Sequence, residues 1–233
     1  MSAQPVTTTH TEETPVAPAV LTADAADLEF GRQAQAYVDA GYPHLAHLSE
    51  DAFRDVLAPL RVVAVQRATG QPVPSRSRAP FVVVLSRALV PVSAAAEVLT
   101  YQGRPGSVSA DTADIDDFRP TAEAAVPDGT AYLVLDVDRG ASTLNWSPDE
   151  AVKTFTSQGR SPLTVEEGVA FLTVHPESLE KNNCFQTAGS RKGDRRVPGL
   201  WISQKRPKLG YCWAGNRHTW LGAASCAERV PAR

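Results

Sequence analysis

Two short apolar runs constrain the fold more than any other feature of the sequence. Residues 81–85 (FVVVL) and 131–137 (AYLVLDV) are rich in β-branched and aromatic side chains, and their apolar residues do not alternate with polar ones. Both runs favour strands, and the unbroken run at residues 81–85 is typical of a strand that is buried on both faces. The two runs therefore predict a sheet in the core of the fold.

Helix signals surround these runs. Ser49 and Ser147 are suitable N-caps, since each is followed by acidic residues that stabilise a first helical turn. In the first predicted helix, Leu28, Ala34 and Tyr37 are expected to share the buried face. Apolar residues recur at helical spacing in five segments, which predicts helices at residues 28–40, 49–60, 93–99 and 147–157 and from residue 164 onwards.

Three further segments before residue 181 have a recognisable pattern. Residues 61–66 (RVVAVQ) contain three valines, which favours a strand. Residues 71–80 contain three prolines, which predicts a loop. Residues 103–120 combine two prolines and two glycines with four aspartates, and this composition indicates a long connection on the surface.

After residue 181 the pattern changes to period two with short turns. Residues 197–203, 209–214 and 219–223 are predicted as strands, and the turn-like links between them indicate a three-stranded antiparallel meander. The order of elements predicts an α+β fold, in which a mixed sheet with helices is followed by this C-terminal meander. An α/β fold with an antiparallel extension stays open as the alternative.

The charge distribution is strongly asymmetric. Residues 181–233 carry 11 of the 23 Lys and Arg residues but only two acids, so this segment has a net charge of about +9, while residues 1–180 sum to about −12. The segment also contains all three cysteines and three of the four tryptophans. Such asymmetry indicates either an anionic partner or a basic segment that packs on the acidic body of the same chain.

The first residues predict no folded element. Residues 1–26 are rich in Thr, Pro and Ala and contain no basic residue, so they lack the charged start and apolar core of a secretory signal. We expect a disordered leader here, followed by a single α+β domain at residues 27–233. No run approaches the length of a membrane span, and three unpaired cysteines without an export signal favour a cytoplasmic protein with reduced thiols.

One cysteine is a candidate nucleophile. Cys184 lies in the sequence NNCF, close to several cationic residues that would favour a thiolate. His218 is the candidate base, and Asp194 or Asn216 is a candidate for orienting its ring. A structural cysteine is the alternative for Cys184, and Cys212 and Cys226 are expected to be core residues. The Cys and His spacing does not contain the tight pairs of a structural zinc site, so no metal is predicted.

The loop at residues 189–196 (GSRKGDRR) is a candidate anion site. Glycines allow the backbone to approach a ligand closely, and the cations suit phosphate or carboxylate. The predicted ligand-binding residues of this loop are Ser190, Arg191, Lys192, Arg195 and Arg196. A solvated basic loop that balances the acidic body is the alternative.

Aromatic residues alternate with cations in the C-terminal segment. Trp201, Tyr211, Trp213 and Trp220 are interleaved with Lys205, Arg206, Lys208 and Arg217, a pattern that suits base stacking. Trp213 and Asn216 are therefore added to the predicted ligand-binding residues. The alternative places the tryptophans in the core of the meander, and on that basis the strand face shared by Trp213 and Tyr211 is expected to be buried.

One further motif has a known counterpart. The strand ending in Asp136, Val137 and Asp138 resembles the first motif of haloacid-dehalogenase-type phosphatases, in which both aspartates hold magnesium. Arg139 stands where that family usually has a glycine. Lys192, Gly193 and Asp194 faintly resemble the later elements of the family, but no acidic residue follows Asp194 at the usual distance. Two solvated aspartates at the end of a strand are the alternative.

A broader resemblance covers most of the chain after the leader. Its most specific segments are NNCF (182–185), AGSR (188–191), GDRRVP (193–198), LWIS (200–203), CWAGN (212–216) and HTWLG (218–222). With these segments the sequence resembles an actinobacterial family that is known only as a domain of unknown function. The resemblance implies one compact domain and supplies no activity, cofactor or site residue.

Three functional classes remain open from the sequence. The basic aromatic segment favours a module that binds an anionic ligand, namely a nucleotide, a phosphorylated metabolite or a nucleic acid. The alternative is a hydrolase or transferase that uses Cys184 and His218 on an anionic substrate. A structural protein whose basic segment docks on its own acidic half is the third. The sequence names no cofactor and no oligomeric state.

Overall fold

The computed structural model describes residues 19–232. Within this range the α-helices are α1 (Ala23–Asp39), α2 (Tyr42–Leu45), α3 (Glu50–Leu57), α4 (Leu60–Ala68), α5 (Val92–Val98), α6 (Pro148–Ser157) and α7 (Val165–Val174). Short 3-10 helices occur at Ala110–Thr112, Ile115–Asp117, Ala141–Thr143 and Pro176–Ser178. No helix in the described range is both long and apolar enough to cross a membrane.

Strands alternate with these helices, which confirms the predicted α+β class. They are β1 (Arg78–Leu85), β2 (Thr100–Tyr101), β3 (Arg104–Pro105), β4 (Ser107–Val108), β5 (Arg119–Pro120), β6 (Ala131–Asp138), β7 (Ser161–Pro162), β8 (Cys184–Gln186), β9 (Ser190–Arg191), β10 (Arg196–Ser203), β11 (Arg206–Trp213), β12 (Leu221–Ala223), β13 (Ser225–Cys226) and β14 (Glu228–Pro231). They form two five-stranded sheets and two small two-stranded ones, β2–β3 and β5–β9.

The first sheet is built around β6, one of the two apolar runs. β1 lies antiparallel on one edge of β6, and β13 and β14 lie antiparallel on its other edge. All residues of β1 except Arg78 are buried, as are the first five residues of β6. The predicted strands at residues 81–85 and 131–137 are therefore confirmed, and the first is buried as expected.

The second sheet differs from the predicted meander in its third strand. β10 and β11 form the expected antiparallel hairpin, but the strand order is β12-β8-β10-β11-β4. β12 pairs in parallel with β8, at the opposite side of the sheet from β11. The other edge of β11 pairs with β4. The residues between Ala214 and Leu221 carry the chain across the sheet to β12, which lies beside β8.

The segment at residues 61–66 is helical, so its prediction as a strand is wrong. It lies in α4, where Leu60, Ala64 and Ala68 are buried at a spacing of four residues. Helix α4 packs against α1, and Arg61 pairs with Asp27 of α1 at 2.5 Å. Packing of this stripe outweighs the weak strand preference of the valines.

Helix α1 begins five residues earlier than predicted. Thr22 caps it by accepting a hydrogen bond from Ala25 N, and Leu21 N donates to Gln71 O at 2.8 Å. Leu21 and Ala26 are buried, whereas Leu28 is 74% exposed and does not share the buried face. The predicted leader therefore extends too far at its end, and its residues 1–18 lie outside the described range.

The connection at residues 103–120 is less exposed than its composition indicates. It contains three short strands and two 3-10 helices, and Ile115 and Phe118 are fully buried. These two residues anchor the segment in the same cluster of buried residues that joins both large sheets. The acidic residues between them remain on the surface.

Helix α7 lies between the two large sheets. Eight of its ten residues are buried, which is typical of a helix enclosed on all sides. Glu167 accepts a hydrogen bond from Tyr132 of the first sheet, while a side chain at Gly168 would collide with Thr187 beside the second. Both Thr164 at its start and Ser147 before α6 form complete capping boxes.

Candidate functional site

The cations of the 189–196 loop are largely engaged by aspartates from the acidic body. Arg196 donates two hydrogen bonds to Asp114, at 3.1 and 2.7 Å, and one to Asp194 at 2.8 Å. Its guanidinium lies 5.2 Å from the ring centroids of both Phe118 and Tyr211. Hydrogen bonds from Arg196, and then from Lys192, hold the pKa of Asp114 well below its usual range.

Lys192 and Arg195 are held in the same way. Lys192 donates to Asp114 and Asp117, each at 2.8 Å, and Arg195 reaches Asp149 at 3.1 Å. Three of the four predicted anion-binding cations thus bind carboxylates of this chain. Part of the charge asymmetry is therefore neutralised internally.

Ser190 and Arg191 occupy different surroundings. The Ser190 hydroxyl is buried and accepts a hydrogen bond from Val165 N at the start of α7. Arg191 donates to the carbonyl oxygens of Ala188 and Ser190, at 2.6 and 2.9 Å, and burial lowers its pKa. Its side chain borders a cleft of about 340 Å³ that Glu123 also lines.

Trp213 is exposed, so the predicted burial of its strand face is wrong. The side chain is 47% exposed, and its ring meets that of Tyr211 edge to face, with 5.5 Å between centroids. Trp213 is the last residue of β11 and is exposed there. Asn216 follows in a turn, and its backbone N–H donates to Trp213 O.

The structure places the three predicted catalytic residues in two regions. Cys184 lies on β8 and His218 next to Trp220, whose ring centroid is 5.3 Å from that of His218. Asp194 binds Arg196 at the start of β10, whereas Cys184 lies near the Trp201 end of that strand. Five residues of strand separate these ends, a distance of about 16 Å.

The Cys184 thiol is buried and hydrogen-bonded to backbone. Its Sγ donates to Glu180 O at 3.3 Å, and the residue is 3% exposed. Burial raises the pKa of this thiol, the opposite of the shift that activates a cysteine nucleophile. Within the described range, no hydrogen bond joins Cys184 to His218. Cys212 and Cys226 are buried as predicted, and burial raises the pKa of each thiol to about 12.

The two aspartates of the phosphatase-like motif are both engaged by arginines. Asp136 pairs with Arg160 at 2.5 Å, and Asp138 pairs with Arg78 at 2.8 Å across the β1–β6 ladder. Each carboxylate therefore has a cationic partner from the same chain. These contacts give both residues a structural role at the end of β6.

A pocket lined by two tryptophans lies at the other end of the second sheet. Its volume is about 350 Å³, and we call it the tryptophan pocket. The rings of Trp201 and Trp220 meet edge to face, with 6.2 Å between their centroids. The residues that line it are Lys181, Asn182, Cys184, Trp201, Ile202, Ser203 and Trp220. One of them is a cation and none is acidic.

Trp201 is positioned by a glycine on the neighbouring strand. A Cβ atom at Gly210 would lie 2.3 Å from Cη2 of the Trp201 ring. The ring therefore packs directly on the backbone of β11, which only a glycine permits. One region of the Trp201 ring is fixed against the sheet, while the ring as a whole remains partly exposed and borders the pocket.

Two cations of β11 lie on the same face of the sheet as Trp201. In the β10–β11 ladder, Ser203 is opposite Arg206 and Trp201 is opposite Lys208. Directly opposite residues of an antiparallel pair project to the same face. The hairpin turn that fixes this register consists of Gln204 and Lys205, both with positive φ, as in a type I′ turn.

The cations around the tryptophan pocket differ from those of the 189–196 loop in their partners. Among the described residues, no carboxylate oxygen lies within 4.0 Å of the cationic groups of Lys181, Lys205, Arg206 or Lys208. Nε of Arg206 is buried and has no hydrogen-bond partner in the same range. Lys208 has only a weak electrostatic influence on Asp111, whose pKa is lowered chiefly by Ser109.

The sequence matches one protein family over residues 36–232, which is most of the chain. The chain belongs to DUF5701, a family of unknown function. This confirms the resemblance to a domain of unknown function. No curated protein and no solved structure matches the sequence. The DUF5701 match includes the tryptophan pocket and the 189–196 loop.

The pocket was only partly visible in the sequence of this DUF5701 member. The interleaving of tryptophans and cations is evident in the sequence, but it predicts Trp213 as a ligand-binding residue, and Trp213 does not line the pocket. The stronger signal is the spacing around the turn at Gln204 and Lys205. A two-residue turn places Trp201, Ser203, Arg206 and Lys208 on one face, and this register follows from the sequence once the turn is recognised.

Proposed function

We propose that the tryptophan pocket binds a planar ligand that carries an anionic group, as a nucleotide does. Lys181 lines the pocket, and Arg206 and Lys208 lie on the same face of the sheet as Trp201. The observation that supports the proposal most directly is that none of these three cations pairs with a carboxylate of the described residues. An indole face stacks on a planar ring, and a nearby guanidinium or ammonium group binds phosphate or carboxylate. Asn182 and Ser203 add hydrogen-bonding groups at the wall of the pocket.

The edge-to-face geometry of the tryptophans supports a single stacked ring. Their planes are 74° apart, so the two rings do not form a parallel slot for one flat ligand. A ligand ring that stacks on one indole meets the edge of the other, an arrangement that aromatic groups favour. Arg206 lies opposite Ser203 on the same face of the sheet, which supports a contact between its guanidinium group and the anionic group of the ligand.

The 189–196 loop supports anion binding less well. A ligand there would have to displace Asp114, Asp117 or Asp149 from the cations that they bind. Cysteine chemistry is also less well supported, because burial keeps the Cys184 thiol protonated at neutral pH. In this proposal Cys184 contributes to the wall of the pocket as a neutral side chain.

Calorimetric titration with the four ribonucleoside monophosphates at low salt tests the proposal. Arg206→Gln should weaken binding about tenfold or more, since a hydrogen bond to a charged group contributes about 1.5–3 kcal/mol. Arg195→Gln is the matched control, because that guanidinium is 68% exposed and pairs with Asp149. It should leave the affinity unchanged, as should Trp213→Ala.

Two results would contradict the proposal. One is failure of all four nucleotides to bind the folded protein at millimolar concentration. The other is equal weakening by Arg206→Gln and Arg195→Gln, since that would place the anion at the 189–196 loop. Circular dichroism and thermal unfolding of each variant verify that the fold is retained.

A further inference from the structure

The cations near the tryptophan pocket lie on both sides of the strand that carries Trp201. Lys181 precedes β8, which pairs with one edge of β10, while Arg206 and Lys208 belong to β11 on the other edge. Neighbouring strands are about 4.8 Å apart, so β8 and β11 are separated by about 10 Å. Positive charge therefore lies on both sides of the strand that carries Trp201, with Lys181 at the pocket wall and the two cations of β11 next to it.

We infer that the natural ligand is a single-stranded nucleic acid rather than a free nucleotide. This rests on the proposed function, since it assigns a base to the same pocket. A free 5′-nucleotide carries all its phosphates on one side of its nucleoside, and they reach one group of cations. In a strand, each nucleoside has a phosphate on its 5′ side and another on its 3′ side. Charge on both sides of the stacked base matches the strand.

The pocket also discriminates against a duplex. Asn182, Ile202 and Ser203 line the pocket together with the two tryptophans, so we expect a base to leave its stack in order to enter it. Unstacked bases of a single strand are available for this contact, whereas a paired base must first be unpaired and extruded from the duplex. Single-stranded RNA and single-stranded DNA share the required chemistry, and the experiment below includes both.

Salt dependence distinguishes the strand from the free nucleotide. Each phosphate of a single strand that a protein cation neutralises contributes about −0.7 to the slope of log K against log salt concentration. Contacts with Lys181, Arg206 and Lys208 together predict a slope of about −2. Removing one cation by substitution should reduce the magnitude of the slope by about 0.7.

The experiment uses fluorescence anisotropy with a labelled eight-residue oligoadenylate, as RNA and as DNA, over a range of salt concentrations. AMP, ATP and the oligonucleotide annealed to its complement serve as unlabelled competitors. Lys181→Gln and Lys208→Gln test the two sides of the strand that carries Trp201 separately. Lys153→Gln is the matched control, because Lys153 is also exposed and lies on α6, away from the pocket.

The expected result is that the single strand binds at least tenfold more tightly than AMP or ATP and than the duplex. Lys181→Gln and Lys208→Gln should each weaken strand binding and reduce the slope, while Lys153→Gln does neither. The inference is overturned and the proposed function stands if AMP binds as tightly as the strand and one of the two lysine substitutions leaves the slope of log K against log salt concentration unchanged. If neither AMP nor the strand binds, both are overturned.

Discussion

At the scale of single residues, the fate of a cation depends on partners that are distant in sequence. Arg196 is enclosed by Asp114, Phe118 and Tyr211, whereas no carboxylate among the described residues pairs with Arg206, ten residues later. The sequence shows both residues in basic surroundings. Only the fold brings Asp114 next to Arg196, so sequence spacing alone could not rank these candidates.

Acid should weaken the contact between Arg196 and Asp114. The folded pKa of Asp114 lies below its unfolded value of about 3.9, so the contact stabilises the fold above that pH and is lost as pH falls towards the folded pKa. Asp114→Asn should therefore lower Tm at neutral pH. The difference in Tm between this variant and the wild type should become smaller below about pH 4, as measured by thermal unfolding. Asp55→Asn, at an exposed position on α3, is the control and should leave Tm nearly unchanged at neutral pH.

Gly210→Ala should disturb the tryptophan pocket directly. The added methyl group would overlap the Trp201 ring and displace it, which should cost about 1–3 kcal/mol of stability. Nucleotide affinity should fall in the same variant. Gly31→Ala is the control, since it lies on an open face of α1 and should stabilise the helix by up to about 1 kcal/mol. Denaturant unfolding measures both, and equal stability of the two variants would show that the ring is free to move.

At the scale of elements, the starts of helices could be predicted from local signals, whereas the pairing of strands could not. The helices that begin after Ser49, Ser147 and Thr164 were predictable because a cap and its partner lie within four residues. The strands around β8 were not, because Cys184–Gln186 is only three residues long and is defined by two neighbours in the sheet. Short strands carry too few residues for a recognisable period.

The start of α1 can be tested by truncation. A chain that begins at Ala19 keeps Leu21 and the Thr22 cap, whereas one that begins at Asp24 loses both. Loss of a cap and of a buried leucine should cost about 3 kcal/mol or more. The second chain should therefore have a Tm lower by about 6–12 °C. Equal Tm values would show that this segment contributes nothing to stability.

At the scale of the whole molecule, α7 and β14 join the layers through a buried ion pair. Arg229 of β14 donates to both oxygens of Glu167, at 2.5 and 2.8 Å, and Tyr132 of β6 donates to the same carboxylate. Glu167 also accepts from Thr164 N as part of the capping box. One carboxylate thus links the helix between the sheets to two strands of the first sheet. No local pattern in the sequence indicates this.

Glu167→Gln should destabilise the protein severely. The substitution keeps the size of the side chain but leaves Arg229 buried without a counter-charge, which typically costs about 3–5 kcal/mol. Glu50→Gln removes one partner of an exposed pair on α3 and should cost below about 1 kcal/mol. Chemical denaturation of the two variants provides the comparison. Similar costs would mean that water reaches the buried pair.

The place of β14 in the first sheet has a consequence for protein synthesis. Pro231 pairs with Tyr132, so one edge of β6 stays open until nearly a hundred further residues have been translated. During that interval the ribosome carries a nascent chain with an unpaired apolar strand edge, which is prone to pair with other chains. Protein lost to aggregation during expression is therefore expected to come from unfinished chains. Expression at low temperature, which slows aggregation, should raise the yield more than substitutions that stabilise the folded state.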